Sequence, residues 1–168
     1  MAKNETVKRA TVIDIRPPAV ASQASDKKWG RSVMKLGFSI VPSLLLRAQQ
    51  RLGLNPTQLA ILLQLADYWW DQDRKPYPSK NRLSERLGLR PRQIQRYIAE
   101  LEAAGLVKRI ERRAVHRGKL SNEYDLNGLV ERLKKLEPEF RHVQEMKRRV
   151  ARPGGLLKQT QQDQKKKE

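Results

Sequence analysis

Residues 78–113 read PSKNRLSERLGLRPRQIQRYIAELEAAGLVKRIERR, and the fold is decided there. Ser79 precedes a run with leucines at 83 and 87 and a glycine at 88, the marks of a short capped helix with a glycine stop. Pro91 opens a second helix in which Ile94, Tyr97, Ile98 and Leu101 recur at spacings of three and four until Gly105. Beyond that glycine the period changes. LVKRIERR is short and carries Val and Ile, a polar loop AVHRGKLS follows, and NEYDL places Tyr124 and Leu126 on one face. This predicts a β-hairpin with a charged tip.

Two short helices joined at LGLRP, the second running into a hairpin, have the order of a helix-turn-helix with a wing. If Ile94, Tyr97, Ile98 and Leu101 face the core, then Arg92, Gln93, Gln95 and Arg96 are left outside on the first half of the second helix. Those side chains suit duplex DNA. Arg donates a two-pronged contact to guanine O6 and N7, Gln both donates to and accepts from adenine, and the first turn of a helix attracts phosphate.

Arginines on an exposed helix face are usually just solvated, so the placement of charge matters. The chain has 168 residues and a formal net charge of +18. Residues 1–36 hold 8 basic and 3 acidic groups (+5), residues 37–137 hold 19 and 11 (+8), and residues 138–168 hold 9 and 4 (+5). Within the middle region, residues 79–119 alone hold 12 and 4 (+8), so the rest of it is neutral. The excess therefore coincides with the two elements a winged helix presents to DNA. Glu100 and Glu102 come only at the far end of the second helix.

Upstream, Pro42 opens PSLLLRAQQRLG, which is expected to be helical as far as Gly53, and Asn55 caps a helix with Pro56 next and Gln58 in the third position. That helix, PTQLAILLQLADYWWDQ, is apolar on nearly every side and should be central. Trp69 and Trp70 are adjacent and cannot share one narrow face; core packing suits one, and partial exposure or a dimer contact the other. After the hairpin, a last helix carries Leu129, Val130, Leu133 and Leu136, and a separate helix is expected around Phe140 to Val150. Residues 1–36, with at best a short strand at 11–15, and residues 138–168 read as flexible basic arms. The expected architecture is mainly α with a β-hairpin, a winged helix-turn-helix over residues 37–137 flanked by those arms.

Absences narrow the chemistry. There is no cysteine, and His116 and His142 are isolated, so thiolate metal sites are excluded and imidazole sites disfavoured. No Ser/His/Asp set or paired carboxylate stands at a recognisable spacing, and RPGGLLKQT lacks the spacing of a phosphate loop. We expect neither an enzyme nor a cofactor. No run of about 18 apolar residues and no secretory leader is visible, so a cytoplasmic, nucleoid-associated protein with no membrane role is expected.

GFSIVPSLLL at residues 37–46, YPSKNRLSERLGLRPRQIQRYIAELEAAGLVKR at 77–109 and NEYDL at 122–126 together resemble the winged helix-turn-helix domain at the amino end of phage and plasmid replication initiators, and of small regulators on mobile elements. The resemblance implies that Ser79, Lys80 and Asn81 lie at the phosphate backbone, that Arg92, Gln93 and Arg96 face bases or backbone, and that the wing, from Arg112 and Arg113 through His116 and Arg117 to Lys119, lies beside the minor groove or flanking phosphates. Such domains usually have Ser or Thr before the recognition helix, where this chain has Arg90. The cap must then come from elsewhere, and a phosphate oxygen is one substitute. Gln95 and Arg90 complete the set of candidate DNA contacts.

Sequence-specific binding of double-stranded DNA follows as the expected activity, with transcriptional regulation as the first reading. Origin binding in replication or partition of a plasmid or phage is the second, and a winged helix that contacts only protein is the third. Should the chain pair as a two-fold homodimer, half-sites would sit about 34 Å apart or a multiple of that.

Overall fold

Ser and Asn caps, prolines at first helical positions and glycines at helix ends divide the chain into short helices, and the computed structural model describes them over residues 19–114 and 118–151. The expected strand at 11–15, His116 and Arg117 at the wing tip, and the tail 152–168 lie outside the described residues. The chain separates into two compact units, Met1–Phe38 and Ser39–Glu168.

In the first unit, α1 (Ala19–Trp29) and α2 (Arg31–Lys35) occupy a stretch that sequence periodicity reads as an arm. Hydrophobic patterning does not reveal them because α2 buries no residue, whereas α1 is rich in alanine, the strongest helix former. Lys27 and Lys28 in the last turn of α1 complement its dipole.

The second unit begins with α3 (Ser43–Arg47), which is shorter than expected. Instead of continuing to Gly53, the chain turns at residues 48–53, where Leu52 N–H bonds to Ala48 O at 2.9 Å and Leu54 N–H to Gln49 O at 3.1 Å. Gly53 takes φ 67°, a left-handed conformation that suits glycine. Next comes α4 (Pro56–Asp67), whose expected capping box is present: Gln58 N–H donates to Asn55 Oδ1 at 2.8 Å, and Asn55 N–H to Gln58 Oε1 at 3.0 Å. The helix stops at Asp67 rather than running through the tryptophans. Trp69 then packs on the core, while Trp70 is 45% exposed.

Helices α5 (Lys80–Leu87) and α6 (Pro91–Ala103) pack against α4 and against each other. Ile61, Leu62 and Leu65 from α4 meet Leu83 from α5 and Ile94, Ile98 and Leu101 from α6 in one buried cluster. Full burial of such side chains is worth about 1.5–3 kcal/mol each. Leu106 and Val107, just after α6, and Tyr124 from the hairpin join the same cluster.

The wing consists of β1 (Lys108–Ile110), β2 (Arg113–Ala114), β3 (Gly118–Lys119) and β4 (Glu123–Asp125). Strand β1 pairs antiparallel with β4 through Ile110 opposite Glu123, and β2 with β3 through Arg113 opposite Lys119. Residues 111–112 on the outgoing side thus face residues 120–122 on the return, an extra residue that forms a bulge and adds twist between base and tip.

Helix α7 (Asn127–Val150) departs from expectation. The helix ending near Leu136 and the one around Phe140 to Val150 are continuous, with Pro138 inside. Pro138 removes one backbone donor, and it lies on an exposed part of the helix, as does Lys134, whose carbonyl loses that donor. At the start of α7, Leu129 N–H bonds to Leu106 O at 3.0 Å, and Gly128 lies so close to the turn after α6 that a Cβ there would stand 2.1 Å from Gly105 O.

Candidate nucleic-acid interface

The turn between α5 and α6 is set locally. Ser79 Oγ accepts from Arg82 N–H at 3.1 Å and starts α5; Gly88 ends it in the left-handed region at φ 65°. Leu89 N–H bonds to Ser84 O at 3.1 Å, and the Ser84 hydroxyl donates to Leu89 O. Arg90 then stands as the N-cap of α6 with no capping side chain, since a guanidinium has no acceptor. Half a capping box survives: Gln93 Oε1 accepts from Arg90 N–H at 2.9 Å.

Gln93, which sequence spacing puts outside as a base reader, is half-buried, and its carboxamide oxygen accepts that bond. Arg92, Gln95 and Arg96 are exposed on α6, and Lys80 and Asn81 are exposed on the first turn of α5. Among the described residues Lys80, Asn81, Arg90, Arg92 and Gln95 form no side-chain hydrogen bond or ion pair. Arg96 Nε is 3.7 Å from Glu100 Oε1, and its guanidinium lies 5.1 Å from the centre of the Tyr97 ring. A contact that long between exposed groups holds Arg96 weakly.

Other cations of the stretch are committed to the fold. Arg86 Nη1 donates to Asp67 Oδ2 at 2.8 Å and to Gln64 Oε1 at 3.0 Å, and it lies over the Tyr68 ring at 4.8 Å. The Ser39 hydroxyl, which also bonds Asp67, and then Arg86 hold the Asp67 carboxyl below its ordinary range against the opposing effect of burial. Arg86 is thus paired with an acid of a neighbouring helix. Arg82 is exposed and has no such partner among the described residues. Arg109 is anchored to Glu102 through its backbone N–H at 2.9 Å and its guanidinium at 3.3 Å.

The wing is held at its base. Tyr124 N–H bonds to Pro76 O at 2.8 Å, Lys75 Nζ lies 3.3 Å from Asp125 Oδ2, and Arg112 Nε lies 3.4 Å from Glu123 Oε1. The Arg112 guanidinium also lies 4.9 Å from the centre of the Tyr77 ring. Arg112 is thus less available than its neighbours. Arg113 and Lys119 face each other in the ladder, their side chains lying outside the described residues. Tyr77 was not singled out by spacing. Half-exposed between two prolines and beside the wing, it is a candidate contact whose only sequence signal is that proline bracket.

With α5, the turn, α6 and the hairpin in place, the architecture is a mainly α winged helix-turn-helix. Residues 52–107, from the turn after α3 to the residue before β1, match the family described as Helix-turn-helix domain. A helix-turn-helix domain implies DNA binding. Among solved structures the chain is similar to the N-terminal domain of DnaD protein from Geobacillus kaustophilus HTA426, with 22% identity and a TM-score of 0.48 over 71% of this chain and 96% of that one. No curated protein matches the chain. Among the described residues no helix is long and apolar enough to cross a membrane, and no group of three or more His, Cys, Asp or Glu is placed to hold a metal ion.

Proposed function

We propose that this protein binds double-stranded DNA in a sequence-specific manner and regulates transcription, with the first half of α6 in the major groove and the wing on the flanking backbone. The observation that carries the reading is the division of cations in residues 79–119. Arg86, Arg109 and Arg112 are tied to carboxylates, while Arg92 and the loosely held Arg96 stand exposed, with the neutral Gln95, on the face a recognition helix presents. Lys80 and Asn81 would meet phosphates at the start of α5. The first turn of α6, capped on one side only, supports a phosphate oxygen beside Arg90. Arg113, His116, Arg117 and Lys119 would extend the contact along the backbone. On this reading the protein is a binder without catalytic activity and acts at the nucleoid.

The test is selection of binding sites from random duplexes, followed by titration of Arg92→Ala and Arg96→Ala on the selected site. Each change should weaken specific binding by about 1–3 kcal/mol if the arginine reads a base, and lower the log–log salt slope by about 0.9 where it neutralises a phosphate. Unchanged binding in both variants would exclude α6 as the reading helix and favour a winged helix that contacts protein. Origin binding in replication or partition is a second reading, supported by the likeness of residues 37–46, GFSIVPSLLL, to initiator domains. Direct repeats among the selected genomic sites would support it; a single palindrome over a promoter would support the regulator.

A further inference from the structure

Helix α7 carries a heptad pattern that outlasts the core it packs on. Counting from Leu126, the first position of each heptad is Leu126, Leu133, Phe140 and Lys147, and the fourth is Leu129, Leu136, Val143 and Val150. Leu126, Leu129 and Leu136 are buried in this protein's own core, and Leu133 is partly buried against it. After Leu136 the helix buries nothing more and extends about 21 Å to Val150. On that extension Val143 is 52% exposed, Met146 39% and Val150 56%. A seam that stays in phase while its partner ends is an unmet packing surface.

Charge identifies the occupant. Residues 137–145 carry Glu137, Glu139 and Glu145 against Arg141, a net of −2, while residues 146–151 carry Lys147, Arg148 and Arg149, a net of +3. Glu137 bonds to Arg141 at 2.8 Å and Glu139 to Arg51 at 2.9 Å, but all four side chains remain largely exposed. A second copy laid parallel would set +3 against +3 and place Lys147 opposite Lys147 in the seam. Laid antiparallel, it sets the basic end of each copy on the acidic end of the other, and Lys147 packs its methylene stem on Val143 of the other copy. We propose that the end of α7 is a self-association surface on which two copies pair as an antiparallel two-helix coiled coil, with Phe140 facing Val150 across the two-fold axis. A seam this short makes a weak dimer, which assembles most fully where adjacent sites on DNA hold two copies at high effective concentration.

The surface is tested without DNA, by sedimentation equilibrium of the full chain across a wide concentration range. A concentration-dependent dimer is expected, and Val143→Asp and Val150→Asp should each raise its dissociation constant about tenfold or more. Because the chain has no cysteine, orientation is read from single introduced ones under air oxidation. Gln144→Cys lies near the axis of the antiparallel pair and should form a covalent dimer, whereas Val150→Cys should not. A chain that stays monomeric at the highest concentrations, or a disulfide at Val150→Cys and none at Gln144→Cys, would overturn the proposal. Failure to bind duplex DNA would count against the proposed function and leave this result standing.

Discussion

Gly128 shows how much one missing methyl group decides. In α7 it costs helix propensity relative to alanine, yet a Cβ here would overlap the Gly105 carbonyl at 2.1 Å, and that carbonyl belongs to backbone that cannot swing aside. Gly128→Ala should therefore destabilise the protein by about 1–3 kcal/mol despite the better helix former, read as a lower midpoint in urea unfolding. The same change at a helix glycine with open space where the Cβ would stand would stabilise. Neither the glycine's neighbour nor its sign is visible in the string NGLVERL. Gln93 shows the same limit in the site: spacing puts it outside, but it cannot reveal that the carboxamide oxygen turns back to the Arg90 N–H.

At the scale of elements, the two halves of α6 differ. Its first half presents Arg92, Gln95 and Arg96 outward; at its far end Glu100 accepts from Gln58 of α4 at 2.9 Å and Glu102 anchors the first strand of the wing. Glu100 also draws Arg96 along the helix. Glu100→Gln keeps an acceptor for Gln58 but removes a negative charge near the face proposed to meet DNA and releases Arg96. Duplex affinity at low salt should rise by about 0.3–1 kcal/mol, measured by fluorescence anisotropy, with the gain shrinking as salt is raised. The order of α5, α6 and wing was legible because each element is bounded by local chemistry: Ser79, Gly88, Pro91 and Gly105 act through their own backbones and caps. The lengths of α3 and α7 were not. Helix α3 stops at Arg47, before its glycine, and α7 continues through a proline that would normally end it.

Over the whole molecule, two aspartates connect separate elements. Asp67 joins Ser39 to α4 and α5, and Asp125 accepts from Asn127 N–H at 2.9 Å while facing Lys75, which fixes the wing base to α7 and to the loop before α5. Hydrogen bonds lower both carboxyls below the ordinary aspartate value of 3.8, the Ser39 hydroxyl first for Asp67 and the Asn127 N–H first for Asp125. A depressed folded-state value means that the unfolded chain binds the proton more readily. This contribution to stability is therefore complete above the unfolded value and is lost as pH falls through the folded one. Unfolding free energy should decline as pH drops from neutral to below 4, and Asp125→Asn should flatten that decline by about 1 kcal/mol. An acid profile identical in the variant would show that the tie carries no weight. The amino-acid sequence by itself determined the recognition unit and its cationic character, because caps, turn glycines and the period of apolar residues act over a few neighbouring positions. Only the tertiary structure decided which cations remain available for a partner and where α7 outruns its core. Those outcomes depend on groups far apart in the chain, Arg86 on Asp67, Arg112 on Glu123 and Gly128 on Gly105, whose meeting is set by packing rather than by spacing.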